Sequence, residues 1–93
     1  MALIGEDEIA KRLAELDGWA RNGNALRKTF VLATFPAAIA FVTQVGFLAE
    51  AAAHHPDIDI RYQRVTLTLT THDADGLTAN DFALAAQVDA VVG

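Results

Sequence analysis

The sequence predicts an α+β domain: a four-stranded antiparallel sheet with helices packed on one face, in the order α-β-β-α-β-β-α. Three observations carry this. Asn22-Gly23 lies between two short extended stretches, the strongest local signal for a tight hairpin turn. Val65, Leu67, Leu69 and Thr71 alternate with Thr66, Thr68, Thr70 and His72, a clear strand pattern. Three further stretches repeat their apolar residues at helical spacing, and no internal repeat or linker divides them, so residues 1–93 read as one domain.

In chain order, Gly5 is placed to cap a first helix, with Glu6, Asp7 and Glu8 in the opening turn and Lys11 and Arg12 further on, as the helix dipole favours. Ile9, Leu13 and Leu16 form its apolar stripe, and Gly18 is its expected stop. Trp19 follows and has two readings: core packing, or a contact to a flat aromatic ligand. Residues 18–21 and 25–32 are expected to pair, with Leu26, Lys28, Phe30 and Leu32 on one face and Arg27, Thr29 and Val31 on the other.

Thr34 as cap and Pro36 in the first turn open a long second helix expected to reach His54. Phe35, Ile39, Val42, Val45 and Ala49 make one apolar stripe, widened by Phe41, Leu48 and Ala52 beyond what one sheet face requires. That surplus predicts contact with another subunit. Gly46 costs about 1 kcal/mol in a helix, which suggests close approach of a neighbouring backbone. Ile58, Ile60 and Tyr62 alternate with Asp59 and Arg61 as a half-buried strand, and the strand through Leu69 is expected to end at His72. After a turn at 73–76, Thr78 with Asp81 has capping-box spacing and opens the last helix, with Leu84, Val88 and Val91 as its buried positions.

Composition narrows the function. A hydrophobic content of 53% suits a dense core or a subunit interface. There is no cysteine, which removes disulfides, thiolate metal sites and a cysteine nucleophile; the chain is expected to be cytoplasmic. A formal charge of −5 argues against nucleic acid as a partner, although Arg21, Arg27, Lys28, Arg61 and Arg64 could gather around an anionic ligand. The acidic start lacks the basic region of a secretory signal. Residues 35–53 are apolar, yet Thr43, Gln44 and Glu50 interrupt them and no basic cluster flanks them, so no membrane span is expected.

The chemistry concentrates in Glu50-Ala-Ala-Ala-His54-His55-Pro56. In a helix Glu50 and His54 lie on one face within reach of each other. Pro56 ends the helix and displaces His55 from it, leaving His54 in the last turn and His55 in the exit. Adjacent histidines do not reproduce the helical H-E-x-x-H pair, so no metal is expected. The chain has no serine and hence no serine nucleophile. The bland alternative makes His54 and His55 a helix exit and His72 a strand end. Three imidazoles with a carboxylate also fit general acid–base work, and by residue type alone the two readings stand level.

Glu50-x3-His54-His55-Pro56, followed by Tyr62 after five intervening residues, His72 after nine more and Asp81 after eight more, resembles the signature of the pterin-4a-carbinolamine dehydratase family. The resemblance extends to Leu16-Asp17-Gly18-Trp19, Phe35-x-x-Ala38-x-x-Phe41, Leu69-Thr70-Thr71-His72 and Gly76-Leu77-Thr78-x-x-Asp81. It implies a four-stranded antiparallel sheet backed by helices, a homodimer or homotetramer, and a lyase that needs no metal or other cofactor. The implied reaction dehydrates 4a-hydroxytetrahydropterin to quinonoid dihydropterin and water, recycling the pterin of an aromatic amino-acid hydroxylase. It further implies His54 and His72 as acid and base in unassigned order, and His55, Glu50, Trp19 and Asp81 on the substrate-binding side. Asp81 has a competing job as helix cap. Ala53 and Ile58 depart from relatives that carry an acidic and an aromatic residue there. Some relatives bind a transcription factor, so a protein-interaction module on the same fold is the alternative.

Overall fold

The computed structural model describes residues 2–92. Its elements are α1 (Glu6–Ala14), β1 (Ala20–Asn22), β2 (Ala25–Val31), α2 (Phe35–Ala52), β3 (Asp57–Arg61), β4 (Arg64–Leu69), one 3-10 turn (His72–Ala74) and α3 (Ala79–Val92). Two hairpins join into one antiparallel sheet of order β1-β2-β4-β3, so β2 and β4 form its centre. The helices pack on one face of it, as expected from the sequence.

The core follows strand parity. Leu26 pairs with Leu69, Lys28 with Leu67 and Phe30 with Val65, which brings both central strands' inward residues under the helices. Those six are apolar except Lys28. Its Nζ donates to Asp89 Oδ1 at 2.9 Å and to the Asp17 carbonyl at 2.6 Å, and sits 4.8 Å from the Phe30 ring centre. Phe30 also meets Phe41 of α2 at 4.9 Å and the edge of Trp19 at 6.0 Å.

Several boundaries depart from expectation for local reasons. The first hairpin turns at Gly23-Asn24, because Asn22 pairs directly with Ala25, and Gly23 supplies the positive φ. Helix α1 stops at Ala14, four residues before Gly18, whose φ of +84° serves the loop into β1 instead. Tyr62 is not in β3: with Gln63 it forms a two-residue turn, at φ +55°.

Helix α2 buries Ala38, Phe41, Val45 and Ala49. Phe35 and Ile39, expected on the buried stripe, are exposed along with Phe47. The helix is long and apolar enough to cross a bilayer, but its buried stripe packs within the core of this domain. Among the described residues, none outside this stretch of the helix lies within 4 Å of a Cβ placed on Gly46, so the close approach expected at that glycine is not found there. Edge strand β3 is exposed along its whole length, including Ile58 and Ile60, and is not half-buried as its alternation suggested.

Candidate active site

The histidine cleft is assembled by two chain breaks. Helix α2 ends in a left-handed Ala53 (φ 52°, ψ 40°), and the amide of His54 reaches back to the Ala49 carbonyl at 3.0 Å. This is a Schellman closure with alanine where glycine is usual. His54 therefore lies just outside the helix, beyond the last turn in which it was expected.

The second break is at the end of β4. Thr70 hooks its hydroxyl to the Asn24 carbonyl at 2.6 Å, and Thr71 pairs with Gly76 in an isolated bridge. Between them His72–Ala74 form a 3-10 turn closed by a left-handed Asp75. His72 thus begins a turn instead of ending the strand, and it is exposed. Ala53, His54, His55, Thr70, Thr71, His72 and Asp73 together line a cleft of about 200 Å³.

Beneath the cleft the polar atoms are fully paired. Asp81, in the first turn of α3, is 0% exposed, and its Oδ1 meets His54 Nε2 at 2.5 Å. Its Oδ2 accepts from the Thr78 amide and the Thr71 hydroxyl, both at 2.9 Å. The Thr78 bond is the carboxylate half of the expected capping box. His54 is 8% exposed, so one imidazole edge is held by a buried carboxylate at the border of solvent. Such support fixes ring orientation and leaves the other nitrogen for chemistry.

The carboxylates therefore exchange the partners expected of them. Glu50 does not pair with His54; its Oε1 contacts His55 Nε2 at 2.8 Å, and both side chains are exposed. The left-handed residue at 53 turns the chain, carrying His55 toward Glu50 and His54 into the domain. Asp81, expected either on the substrate side or as the helix cap, is fully buried, caps α3 through the Thr78 amide and meets His54. Trp19 is also removed from the cleft: it is buried in the core and donates Nε1 to Asp89.

Three of the basic residues that could have gathered around an anion are paired with carboxylates. Arg21 pairs with Glu6 at 2.6 Å, Arg61 with Asp59 at 3.3 Å and Lys28 with Asp89. Among the described residues, no cluster of three or more His, Cys, Asp or Glu is arranged to hold a metal ion. Thr78, read from sequence only as a helix cap, and Thr71, read only as a strand residue, both join the hydrogen bonds around Asp81. A signal for Thr71 existed, since the Val65-Leu67-Leu69 alternation puts this polar residue on the core face.

The model of the family described as pterin 4 alpha carbinolamine dehydratase matches residues 2–91. A protein of Roseiflexus castenholzii, provisionally named a pterin-4-alpha-carbinolamine dehydratase, is 63% identical over 91 residues, covering 98% of each chain. One from Chloroflexus aurantiacus, with the same provisional name, is 62% identical over the full length of both. The crystal structure of a transcriptional coactivator/pterin dehydratase from Brucella melitensis superposes with a TM-score of 0.95 at 33% identity, covering 99% of this chain and all of that one. A pterin dehydratase-like protein identified as a RuBisCO assembly factor in the alpha-carboxysome superposes at 0.71, with 29% identity and 82% of this chain covered. Fold, family match and full-length similarity agree: the chain belongs to the pterin-4-alpha-carbinolamine dehydratase family.

Proposed function

We propose that the protein is a cytoplasmic lyase that dehydrates 4a-hydroxytetrahydropterin to quinonoid dihydropterin and water. The observation that carries this is the meeting of all three histidines on one cleft, one of them backed by a buried aspartate. The reaction breaks the C4a–O bond. The leaving hydroxyl takes up a proton to depart as water, and N5 gives one up to leave the neutral product. Imidazole is the side chain best suited to give and take protons in such transfers, and the cleft offers two for the two steps.

In this reading His54 and His72 divide the acid and base roles, and His55, steadied by Glu50, grips the substrate. Asp81 positions His54. The product would return to an aromatic amino-acid hydroxylase that uses the pterin. The outward apolar residues of α2, Phe35, Ile39 and Phe47, support a homodimer or homotetramer.

The direct test generates 4a-hydroxytetrahydropterin enzymatically and follows formation of the quinonoid product with and without the protein. Acceleration that survives exhaustive chelation is expected; acceleration that is lost on chelation and returns with zinc would contradict imidazole catalysis. A second reading, a protein-interaction module, draws on the coactivator and assembly-factor names of the two similar structures. Absence of turnover from folded protein, together with stable capture of a regulatory partner, would favour it.

A further inference from the structure

The hydrogen bonds under the cleft run in one direction. The Asn80 amide donates to Thr78 Oγ1 at 3.3 Å, and the Thr78 and Thr71 hydroxyls lie 2.8 Å apart. Thr71 donates its only hydroxyl hydrogen to Asp81 Oδ2, so in the contact between the two threonines it accepts from Thr78. The Thr78 amide, which can only donate, reaches the same Oδ2. Oδ2 therefore receives two hydrogens and carries none. With Asp81 a carboxylate it can only accept, so the hydrogen of the 2.5 Å contact at Oδ1 is carried by His54 Nε2.

We infer that Thr71 is a positioning residue: by donating to Asp81 Oδ2 it keeps the shared hydrogen on His54 Nε2, leaving Nδ1 as the nitrogen that exchanges a proton with substrate. The tautomer stands on the hydrogen-bond directions alone. Only the use made of Nδ1 rests on the dehydratase reading. A purely structural Thr71 would need its hydroxyl satisfied, but would not control which imidazole nitrogen bears hydrogen.

The experiment compares wild type, Thr71→Val and Thr71→Ser by nitrogen-15 NMR of the histidine rings and by steady-state dehydration kinetics. Valine keeps the shape of threonine, removes the donor and leaves the Thr78 hydroxyl without its acceptor. Wild type should show N–H character at His54 Nε2 and lone-pair character at Nδ1. In Thr71→Val the two resonances should move toward each other, and kcat should fall about tenfold at unchanged KM, as loss of one hydrogen bond to a charged group allows. Thr71→Ser should restore both. Should Thr71→Val fail to fold, Thr71→Ala removes the same donor to Asp81 Oδ2 and is read by the same two measures. Wild-type N–H character at Nδ1 would overturn the inference, as would a folded Thr71→Val with wild-type ring signals and turnover. A wild type with the assigned tautomer but no dehydration would support the tautomer and remove the enzymatic reading instead.

Discussion

At the scale of single residues, the site depends on which carboxylates His54 and His55 find. Glu50 and His54 have the right sequence spacing, yet the partner of His54 is Asp81, 27 residues away. No local pattern encodes such a pair, because it forms only when the end of α2 meets the start of α3. Residue type and spacing singled out the histidines as candidates and Asp81 as a helix cap, and only the family resemblance joined them into one set; their pairing was not legible. Trp19 likewise found its partner 70 residues on, at Asp89, which made it a core residue. Two outcomes follow. Asp81→Ala should lower stability by about 3 kcal/mol or more, since it strips a buried partner from His54 and a cap from α3; thermal and denaturant unfolding would measure it. His55→Ala should chiefly raise KM with little change in kcat, as loss of uniform binding requires, which steady-state kinetics would check.

At the scale of elements, strand parity and helix caps were readable because they depend on neighbours in sequence. Thr34 caps α2 through the Ala37 amide at 3.1 Å, and Gly5 stands at the start of α1, both as expected. Ends governed by backbone handedness were not readable, since Ala53, Tyr62 and Asp75 adopt positive φ without being glycine. Ala53→Gly should therefore relieve left-handed strain at the exit of α2 and stabilise the fold by roughly 0.5–1 kcal/mol. A rise of a few degrees in Tm would show it. Arg21 of β1 fastens the start of α1: its hydrogen bond, and secondarily its charge, hold the Glu6 carboxyl below the ordinary range. A depressed carboxyl stabilises above its unfolded-state value and loses that contribution as pH falls through the folded value. Glu6→Gln should accordingly differ from wild type near neutral pH and converge with it in acid. The effect should be small, because both groups are solvent-exposed; unfolding midpoints across roughly pH 3 to 7 would record it.

At the scale of the whole molecule, the sheet order β1-β2-β4-β3 leaves β3 at an edge and one side of α2 in solvent. The sequence showed more apolar surface than one core needs, and the fold locates it: Phe47 is 74% exposed in the protomer. If this surface joins copies of the chain, light scattering at micromolar concentration should give a dimer or tetramer, and Phe47→Asp should reduce its mass without unfolding it. A wild-type monomer would contradict that assembly. The central claim concerns the cleft, and it is tested most directly by the rate of quinonoid product formation from 4a-hydroxytetrahydropterin with wild type, His54→Ala and His72→Ala, each checked for native folding. Catalysis by wild type and a loss of roughly 10²–10⁴-fold in each variant are predicted, the lower end being favoured because the other imidazole partly substitutes. Full turnover in folded variants, or loss only in proportion to lost folded protein, would contradict the account.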